Sequence, residues 1–318
     1  MEGNPSMQCQ IQLRWLTNSV LVLLILFCAS CAEEEKQVDA ATVQNIVYAS
    51  MLDEKMEIFT ARTDGKTLFD QRQLTRNDAF DAGPRWSPDS SRIAFYSTRS
   101  GRSQIYSSGP TGSDLVQLTA VKGEAYTPSW SPDGKRIAYA VQEPLNASLS
   151  IYVMNADGSR PRRIIGSPNF EPSWSPDGSR IAVSSGSNLG GIRVFDTNGI
   201  EVELPRPTDM LDLIFCYSPN WSPDGNQIMY TQRFYDDSSL PSSDVFLLSL
   251  KTGERLRLTD EPGIDVGLDW SPDGSLILIT SNRDGNGELY TIGVDGSHPH
   301  RLTHSNAYEY LASWGSDG

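Results

Sequence analysis

The chain has 318 residues, enough for one large domain or two of medium size. Its 40 acidic residues outnumber its 26 lysines and arginines, and the net charge of −14 repels phosphate backbones. Nucleic acid is therefore not the expected partner, and solubility is the simplest role of this charge.

The N-terminus carries the pattern of an export signal. Arg14 precedes an apolar run of ten residues, Val20 to Ala29, which is too short to span a membrane but suits a signal-peptide core. We predict that residues 1–30 are a signal peptide. The alternative is an uncleaved anchor of 18 residues from Trp15 to Ala32, although that segment includes Thr17, Asn18 and Ser19.

The end of this segment, Cys28-Ala-Ser-Cys31, resembles the cleavage motif of bacterial lipoproteins. The resemblance implies cleavage before Cys31, lipidation of Cys31, and a location at the outer membrane facing the periplasm. Residues 31–44 are acidic and lack aromatic side chains, a composition typical of a flexible tether. Cys216 is then the one remaining thiol, so no intrachain disulfide is expected.

A short phrase recurs along the rest of the chain. Trp-Ser-Pro-Asp occurs five times, four of them followed by Gly, and a sixth copy reads Trp-Gly-Ser-Asp-Gly. The spacings between successive tryptophans are 44, 44, 47, 49 and 44 residues. Such a period, with four short strands in each repeat, is typical of the blades of a β-propeller. The tryptophans are Trp86, Trp130, Trp174, Trp221, Trp270 and Trp314.

The strands of one blade can be read after Trp86. Residues 92–97, 104–106 and 116–119 are short segments rich in Ile, Val, Tyr and Phe, separated by Gly, Ser and Asp. The Ser-Pro-Asp-Gly phrase itself predicts a tight turn, because Pro fixes φ at its second position and Asp bonds neighbouring backbone. We therefore assign the phrase to folding and place no chemistry there.

The two chain ends complement each other. Residues 45–50, 57–60 and 72–75 match the second, third and fourth strands of a blade, while residues 311–314 match a first strand. The fold class predicted is all-β, a monomeric six-bladed propeller over residues 45–318. Its shared blade would contain one C-terminal and three N-terminal strands, which removes open sheet edges.

These repeats resemble the WD-like propeller repeats of TolB, the periplasmic component of the Tol-Pal envelope system. The resemblance rests on residues 128–140, 151–158 and the strand ending at Ile165. It implies a non-catalytic scaffold that binds another envelope protein or peptide. TolB has an α/β domain ahead of its propeller, whereas this chain has a tether in that place.

A binding site is expected at the mouth of the propeller channel, where the innermost strands begin. Four of the six residues lying four positions before the tryptophans are aromatic, and acidic residues stand beside them. This composition suits a cationic or peptide-like group, with a divalent ion as the alternative ligand and channel packing as the purely structural role. The predicted mouth residues are Asp81, Glu124, Tyr126, Phe170, Glu171, Tyr217, Asp265, Glu309 and Tyr310.

Enzymatic readings have less support in the sequence. The chain contains no Gly-x-Ser-x-Gly elbow. Its three histidines, His298, His300 and His304, all fall within one predicted blade and cannot ring the channel axis. We predict no catalytic residue, no cofactor and no dedicated metal site. The alternative is a metal-assisted enzyme that processes carbohydrate or peptide in the propeller axis.

Overall fold

The repeats form antiparallel sheets throughout the computed structural model, which describes residues 43–144, 148–166, 169–185, 191–205, 215–234 and 242–315. The predicted signal peptide, Cys31 and nearly all of the predicted tether lie outside these residues. No helix in the described residues is long and apolar enough to cross a membrane.

The described residues contain 24 strands. In chain order they are β1 (Gln44–Leu52), β2 (Lys55–Thr63), β3 (Leu68–Gln73), β4 (Asp81–Trp86), β5 (Ile93–Ser97), β6 (Gln104–Ser108), β7 (Val116–Gln117), β8 (Glu124–Trp130), β9 (Arg136–Gln142), β10 (Leu149–Asn155), β11 (Arg162–Ile165), β12 (Asn169–Trp174), β13 (Arg180–Ser185), β14 (Ile192–Asp196), β15 (Glu201–Val202), β16 (Cys216–Trp221), β17 (Gln227–Phe234), β18 (Ser242–Ser249), β19 (Arg255–Arg257), β20 (Asp265–Trp270), β21 (Leu276–Ser281), β22 (Glu288–Gly293), β23 (His300–Arg301) and β24 (Tyr308–Trp314).

These strands make six four-stranded sheets, the blades of a propeller. Blade 1 has the order β24-β1-β2-β3, and blades 2 to 6 each contain four strands that are consecutive in sequence, from β4–β7 to β20–β23. In blade 1, Ile46 lies opposite Trp314 and Ala49 lies opposite Tyr310. The predicted six blades, and their closure by one C-terminal and three N-terminal strands, are confirmed.

The outer strand of blade 1 begins earlier than predicted. We expected it at residues 72–75, but β3 spans Leu68–Gln73. The register shifts between Thr60 and Arg62, and Thr75 contacts the sheet through its side chain: the hydroxyl accepts the N–H of Ile58 and donates to Glu57. The hydroxyls of three other threonines likewise accept a backbone N–H from the third strand of their blade, which explains the repeated Leu-Thr pair. These are Thr119, Thr259 and Thr303.

The Ser-Pro-Asp turns have the geometry that the sequence predicts. In the turn after Trp130, the N–H of Gly134 donates to the carbonyl of Ser131 at 2.8 Å, and the Ser131 hydroxyl donates to Asp133 at 2.6 Å. The glycine is needed because its φ is +65°. Neighbouring turns touch: a side chain at Gly178 would come within 3.2 Å of the Pro132 ring of the preceding blade. The turns of blades 2 to 6 therefore follow one another along one face of the propeller, which we call the turn face.

The core lies between neighbouring blades. Trp174 of blade 4 packs with Ile151 and Val153 of blade 3, and Trp270 of blade 6 packs with Met229 and Val245 of blade 5. Each tryptophan thus fastens its blade to the preceding one, which accounts for its place in the repeat.

The closing strand supplies the first prediction. We expect removal of residues 311–318 to lower the melting temperature by at least about 10 °C. Loss of a buried tryptophan alone costs about 3–5 kcal/mol, and each kcal/mol shifts Tm by about 2–4 °C in domains of up to roughly 250 residues. Removal of residues 316–318, which keeps β24 intact, is the control. Equal melting temperatures for the two truncations, measured by calorimetry, would contradict this closure.

The turns supply a second prediction. Hydrogen bonds from the Ser175 hydroxyl, the Ser179 backbone and the Ser179 hydroxyl lower the pKa of Asp177 to about 2. A lowered pKa stabilises the fold above the ordinary value of 3.8 and loses that effect as the pH falls toward 2. Asp177→Asn should therefore lower Tm by a few degrees at pH 6 and make Tm fall less steeply with acid. The exposed Asp260→Asn is the control; an Asp177→Asn profile parallel to wild type would refute the prediction.

Candidate functional site: the channel and its mouth

The six inner strands, β4, β8, β12, β16, β20 and β24, surround a central cavity of about 300 Å³. Each strand runs toward the turn face and ends at its tryptophan, so the opposite end of the channel is the mouth predicted from the sequence. Every inner strand contributes wall residues. Those that carry polar side chains include Arg85, Thr127, Ser129, Glu171, Ser173, Ser218, Asn220, Asp269 and Ser313.

Polar side chains one residue before the tryptophans form hydrogen bonds between neighbouring inner strands, and we call this set of contacts the belt. Asp269 accepts the Asn220 amide at 3.0 Å and the backbone N–H of Trp314 at 2.9 Å. Arg85 donates to the carbonyl of Ala312 at 2.6 Å. Desolvation in the channel raises the pKa of Asp269, and nearby Arg85 opposes this shift. The belt joins blades 5, 6, 1 and 2, so these charged groups fasten the ring.

A backbone irregularity shapes the next layer toward the mouth. The register of each inner strand shifts two or three residues before its tryptophan, which is the mark of a β-bulge. In five strands the residue there has a positive φ: Gly83, Thr127, Glu171, Ser218 and Leu311. Four of these are not glycine, and such conformations cost about 1–3 kcal/mol each. The bulge residues border the channel.

Glu171 contributes the single carboxylate of that layer. Its Oε2 atom accepts the Ser184 hydroxyl at 2.8 Å and the Ser218 N–H of the next blade at 2.6 Å. These two donors hold the carboxylate against the channel wall. The equivalent residues of the other blades are glycine, threonine, serine and leucine.

Tyrosine rings of blades 1, 2 and 3 lie at the mouth end of the inner strands. Tyr96 and Tyr126 meet edge to face with ring centroids 5.5 Å apart, and Tyr308 and Tyr310 do the same at 5.5 Å. Tyr96 and Tyr310 also pack on one shared cluster around Ala82. The mouth is therefore lined by half-buried tyrosines contributed by several blades.

Tyr96 was missed by the sequence reasoning, which looked only at inner strands. It lies on the second strand of blade 2, opposite Ala82. Its ring reaches toward the axis across Gly83, where any side chain would come within 2.7 Å of it. The sequence signal that could have revealed Tyr96 is the pair of small residues Ala82 and Gly83. Small side chains in an inner strand leave space, and close packing requires a side chain from the neighbouring strand to fill it.

The phenols at the mouth remain protonated. Burial is the largest cause that raises the pKa of Tyr96, followed by the electrostatic influence of Tyr310, Tyr126 and Glu171. Burial and the hydrogen bond to Glu124 raise the pKa of Tyr126 to about 12. These tyrosines therefore present neutral rings and O–H donors to a ligand.

Two of the predicted acids lie inside the blades. Asp81 is fully buried and accepts both contacts from Arg99 at 2.9 Å, while Asp265 is 2% exposed and pairs with Arg283 at 3.1 Å. The structure thus places both carboxylates in internal ion pairs behind the mouth. Their part in ligand binding stays a prediction.

Glu309 lies in the closing strand and is 3% exposed. It accepts the hydroxyls of Ser305 at 2.6 Å and Ser50 at 3.4 Å. Its Oε2 atom and the Oε2 atom of Glu288 are both buried, and neither has a hydrogen-bond partner in the part of the chain that the structure describes. Burial, with the charge of Glu288, raises the pKa of Glu309 to about 7, while the Ser305 hydroxyl lowers it.

The other predicted mouth residues are half-buried. Tyr126 donates a short hydrogen bond to Glu124. Phe170 packs beside the core between blades 3 and 4. Tyr217 is covered by the Arg233 guanidinium, 5.5 Å from its ring centroid. An exposed aromatic side chain, Phe215, lies two residues before Tyr217.

Metal and thiol chemistry find little support in the described residues. There, no three His, Cys, Asp or Glu side chains are grouped so that they could hold a metal ion. His298 and His304 are exposed, and His300 lies on the outer strand of blade 6. Burial raises the pKa of Cys216 to about 12, so its thiol is an inert core group.

The chain belongs to the TolB beta propeller domain family, whose model matches residues 41–143, 114–233 and 213–318. Among curated relatives, an uncharacterised protein of Agrobacterium fabrum is 37% identical over 62 residues, which is 20% of this chain and 21% of the relative. The Tol-Pal system protein TolB of Bordetella pertussis is 38% identical over 55 residues, 17% of this chain and 13% of the relative. The matches thus span about a fifth or less of these relatives.

Solved structures share the fold. TolB from Acinetobacter baumannii superposes with a TM-score of 0.70 at 21% identity, covering 86% of this chain and 66% of that one. A putative TolB from Agrobacterium tumefaciens superposes with a TM-score of 0.63 at 16% identity, and the match covers 86% of this chain and 99% of that one. Oligogalacturonate lyase from Vibrio parahaemolyticus superposes with a TM-score of 0.54 at 14% identity, and the match covers 82% of this chain and 75% of that one. Identities this low establish the fold alone.

The raised pKa of buried Glu309 makes stability depend on pH. A carboxyl whose pKa rises from 4.5 to about 7 on folding stabilises the fold fully below pH 4.5. That contribution declines as the pH rises through 7. The surrounding groups are Tyr48, Ser50, Ser305 and Arg301, the last paired with Glu288. Wild type should therefore lose several degrees of Tm between pH 5 and pH 8.

The side chain in Glu309→Gln is neutral at every pH. Its Tm should change little between pH 5 and 8 and exceed that of wild type at pH 8. Glu143→Gln, at an exposed position, should behave as wild type. Identical pH profiles for wild type and Glu309→Gln would show that folding does not raise the pKa of Glu309.

Proposed function

We propose that this protein is a non-catalytic scaffold of the bacterial cell envelope, whose channel mouth binds a peptide segment of another envelope protein. The observation that carries the proposal is the mouth itself: half-buried tyrosines and carboxylates from several blades surround one opening. Membership of the TolB beta propeller domain family supports it, because the Tol-Pal protein TolB of Bordetella pertussis is a relative.

The chemistry of the mouth suits a protein ligand. Tyrosines combine a large apolar ring with a polar end and are enriched where proteins meet. The exposed Phe80 stacks on Tyr96, and Phe215 is 58% exposed, so apolar area extends outward from the channel. The contact surface would comprise Glu124, Tyr126, Phe170, Glu171, Tyr217 and Tyr310, with Asp81, Asp265 and Glu309 as buried supports.

We also propose that the chain is exported and anchored by a lipid on Cys31, so that the propeller faces the periplasm at the outer membrane. The support is the sequence alone: a ten-residue apolar core, small residues before the cysteine, and an acidic segment after it. On this proposal the membrane is contacted only through the lipid, and the propeller acts as a monomer.

The test is crosslinking in cells followed by mass spectrometry. The tagged wild type is compared with Tyr126→Ala/Tyr217→Ala at the mouth and with the control Tyr152→Ala, whose ring packs against Tyr139 away from the channel. We expect one envelope protein to be captured by wild type and the control, and at least about 10-fold less by the mouth variant, because aromatic hot spots contribute about 2 kcal/mol or more.

The variants must first be shown to melt within a few degrees of wild type. Equal capture by wild type and the mouth variant, or no specific capture by wild type, would contradict the proposal.

A further inference from the structure

We propose that Tyr96, Tyr126, Tyr310 and Glu171 form a cage for a primary ammonium group, supplied by a lysine side chain or the N-terminus of a bound peptide. This inference rests on the proposed function, because it specifies which chemical group of the partner enters the mouth. It goes further in assigning one carboxylate and three rings to that group.

The cage residues come from successive blades. Tyr310 lies in blade 1, Tyr96 in blade 2, Tyr126 in blade 3 and Glu171 in blade 4. They therefore follow one arc of the channel. Contact is direct between Tyr96 and Tyr126, whose rings are perpendicular within 10°, and Tyr96 and Tyr310 share one apolar cluster.

Each part of this arrangement favours a cation. Tyrosine rings attract cations through their negative faces, most strongly where water is excluded. Neutral phenols, kept protonated by burial, leave those faces intact. The Ser184 hydroxyl and the Ser218 N–H both donate to Oε2 of the Glu171 carboxylate. Oε1 is then the atom that would accept an N–H from the ligand.

The rings of the cage are also unoccupied by internal cations. Elsewhere in the described structure, arginines stack on Tyr106, Tyr217 and Tyr290. Over the same residues, no arginine or lysine stacks on Tyr96, Tyr126 or Tyr310. Phe80 stacks on Tyr96, so a ligand cation would contact the face of the Tyr96 ring turned away from Phe80, together with the rings of Tyr126 and Tyr310.

Glu171 is distinguished by its charge and not by its backbone. Thr127, Ser218 and Leu311 share its positive φ at the same position of other inner strands, so this strain belongs to the repeat. Of the six residues at this position in the inner strands, Glu171 alone is charged. The net charge of −14 further attracts cations toward the mouth.

The test uses small probes with the full propeller. Nα-acetyl-lysine N-methylamide carries a side-chain ammonium, leucinamide carries a terminal ammonium, and Nα-acetyl-norleucine N-methylamide is the uncharged counterpart. Binding is measured by NMR titration of ¹³C-labelled tyrosine rings, with assignments from Tyr→Phe variants. We expect an ammonium probe to shift the signals of Tyr96, Tyr126 and Tyr310 and to bind at least about 10-fold more tightly than the norleucine compound.

Which ammonium probe binds more tightly decides between a lysine side chain and a peptide N-terminus. Glu171→Gln should weaken that probe about 10-fold or more, whereas Glu143→Gln, beside the off-axis Tyr152, should not. Tyr126→Phe should retain binding within about 2-fold, and Tyr126→Leu should weaken it about 5-fold. Tyr126→Leu also serves as the test if Glu171→Gln does not fold.

Three results would overturn the cage: norleucine binding as tightly as lysine, unchanged affinity in Glu171→Gln and Tyr126→Leu, or no ring shifts at probe concentrations up to about 50 mM. These failures are separate from failure of the scaffold proposal. If a partner is captured and the capture depends on Tyr126 and Tyr217, but no ammonium probe binds, the scaffold proposal stands and the cage fails. The mouth would then recognise apolar or hydrogen-bonding groups of the partner.

Discussion

The pairing of β24 with β1 is the contact on which the rest of the molecule depends. Five blades made of consecutive strands would leave open sheet edges and no closed channel. Closure places Tyr310 and Glu309 beside residues from the start of the domain, with Ala49 opposite Tyr310 and Ser50 opposite Glu309. The mouth therefore exists only in the closed ring, so stability and binding share one structural cause.

Charged groups in the channel serve two different purposes. Nearer the turn face, Asp269 and Arg85 form hydrogen bonds to backbone groups and to the Asn220 amide, and these bonds hold the ring together. At the bulge layer, two donors hold Oε2 of Glu171, and the charge of this carboxylate contributes to the raised pKa of Tyr96. The β-bulges separate these layers, because they turn one residue of each inner strand toward the axis without breaking the sheet.

The fold could be read from the sequence because the tryptophan turns repeat at a nearly constant period and the chain ends match complementary parts of a blade. The site could be read only in part. Spacing singled out Tyr126, Glu171 and Tyr310 as candidates. It cannot reveal that Asp81 pairs with Arg99, which lies two residues beyond the strand opposite Asp81. Nor can it show Tyr96 filling the space above Gly83, because that contact depends on side-chain packing.

On the proposed function, the partner binds at the mouth and not on the turn face. A photoreactive amino acid at position 215, beside Tyr217, and another at position 200, on a turn-face hairpin, test it directly, since both native side chains are apolar and exposed. We expect irradiation in cells to join an envelope protein to the chain at position 215 and not at position 200. Crosslinking at position 200 alone, or equally at both, would contradict it.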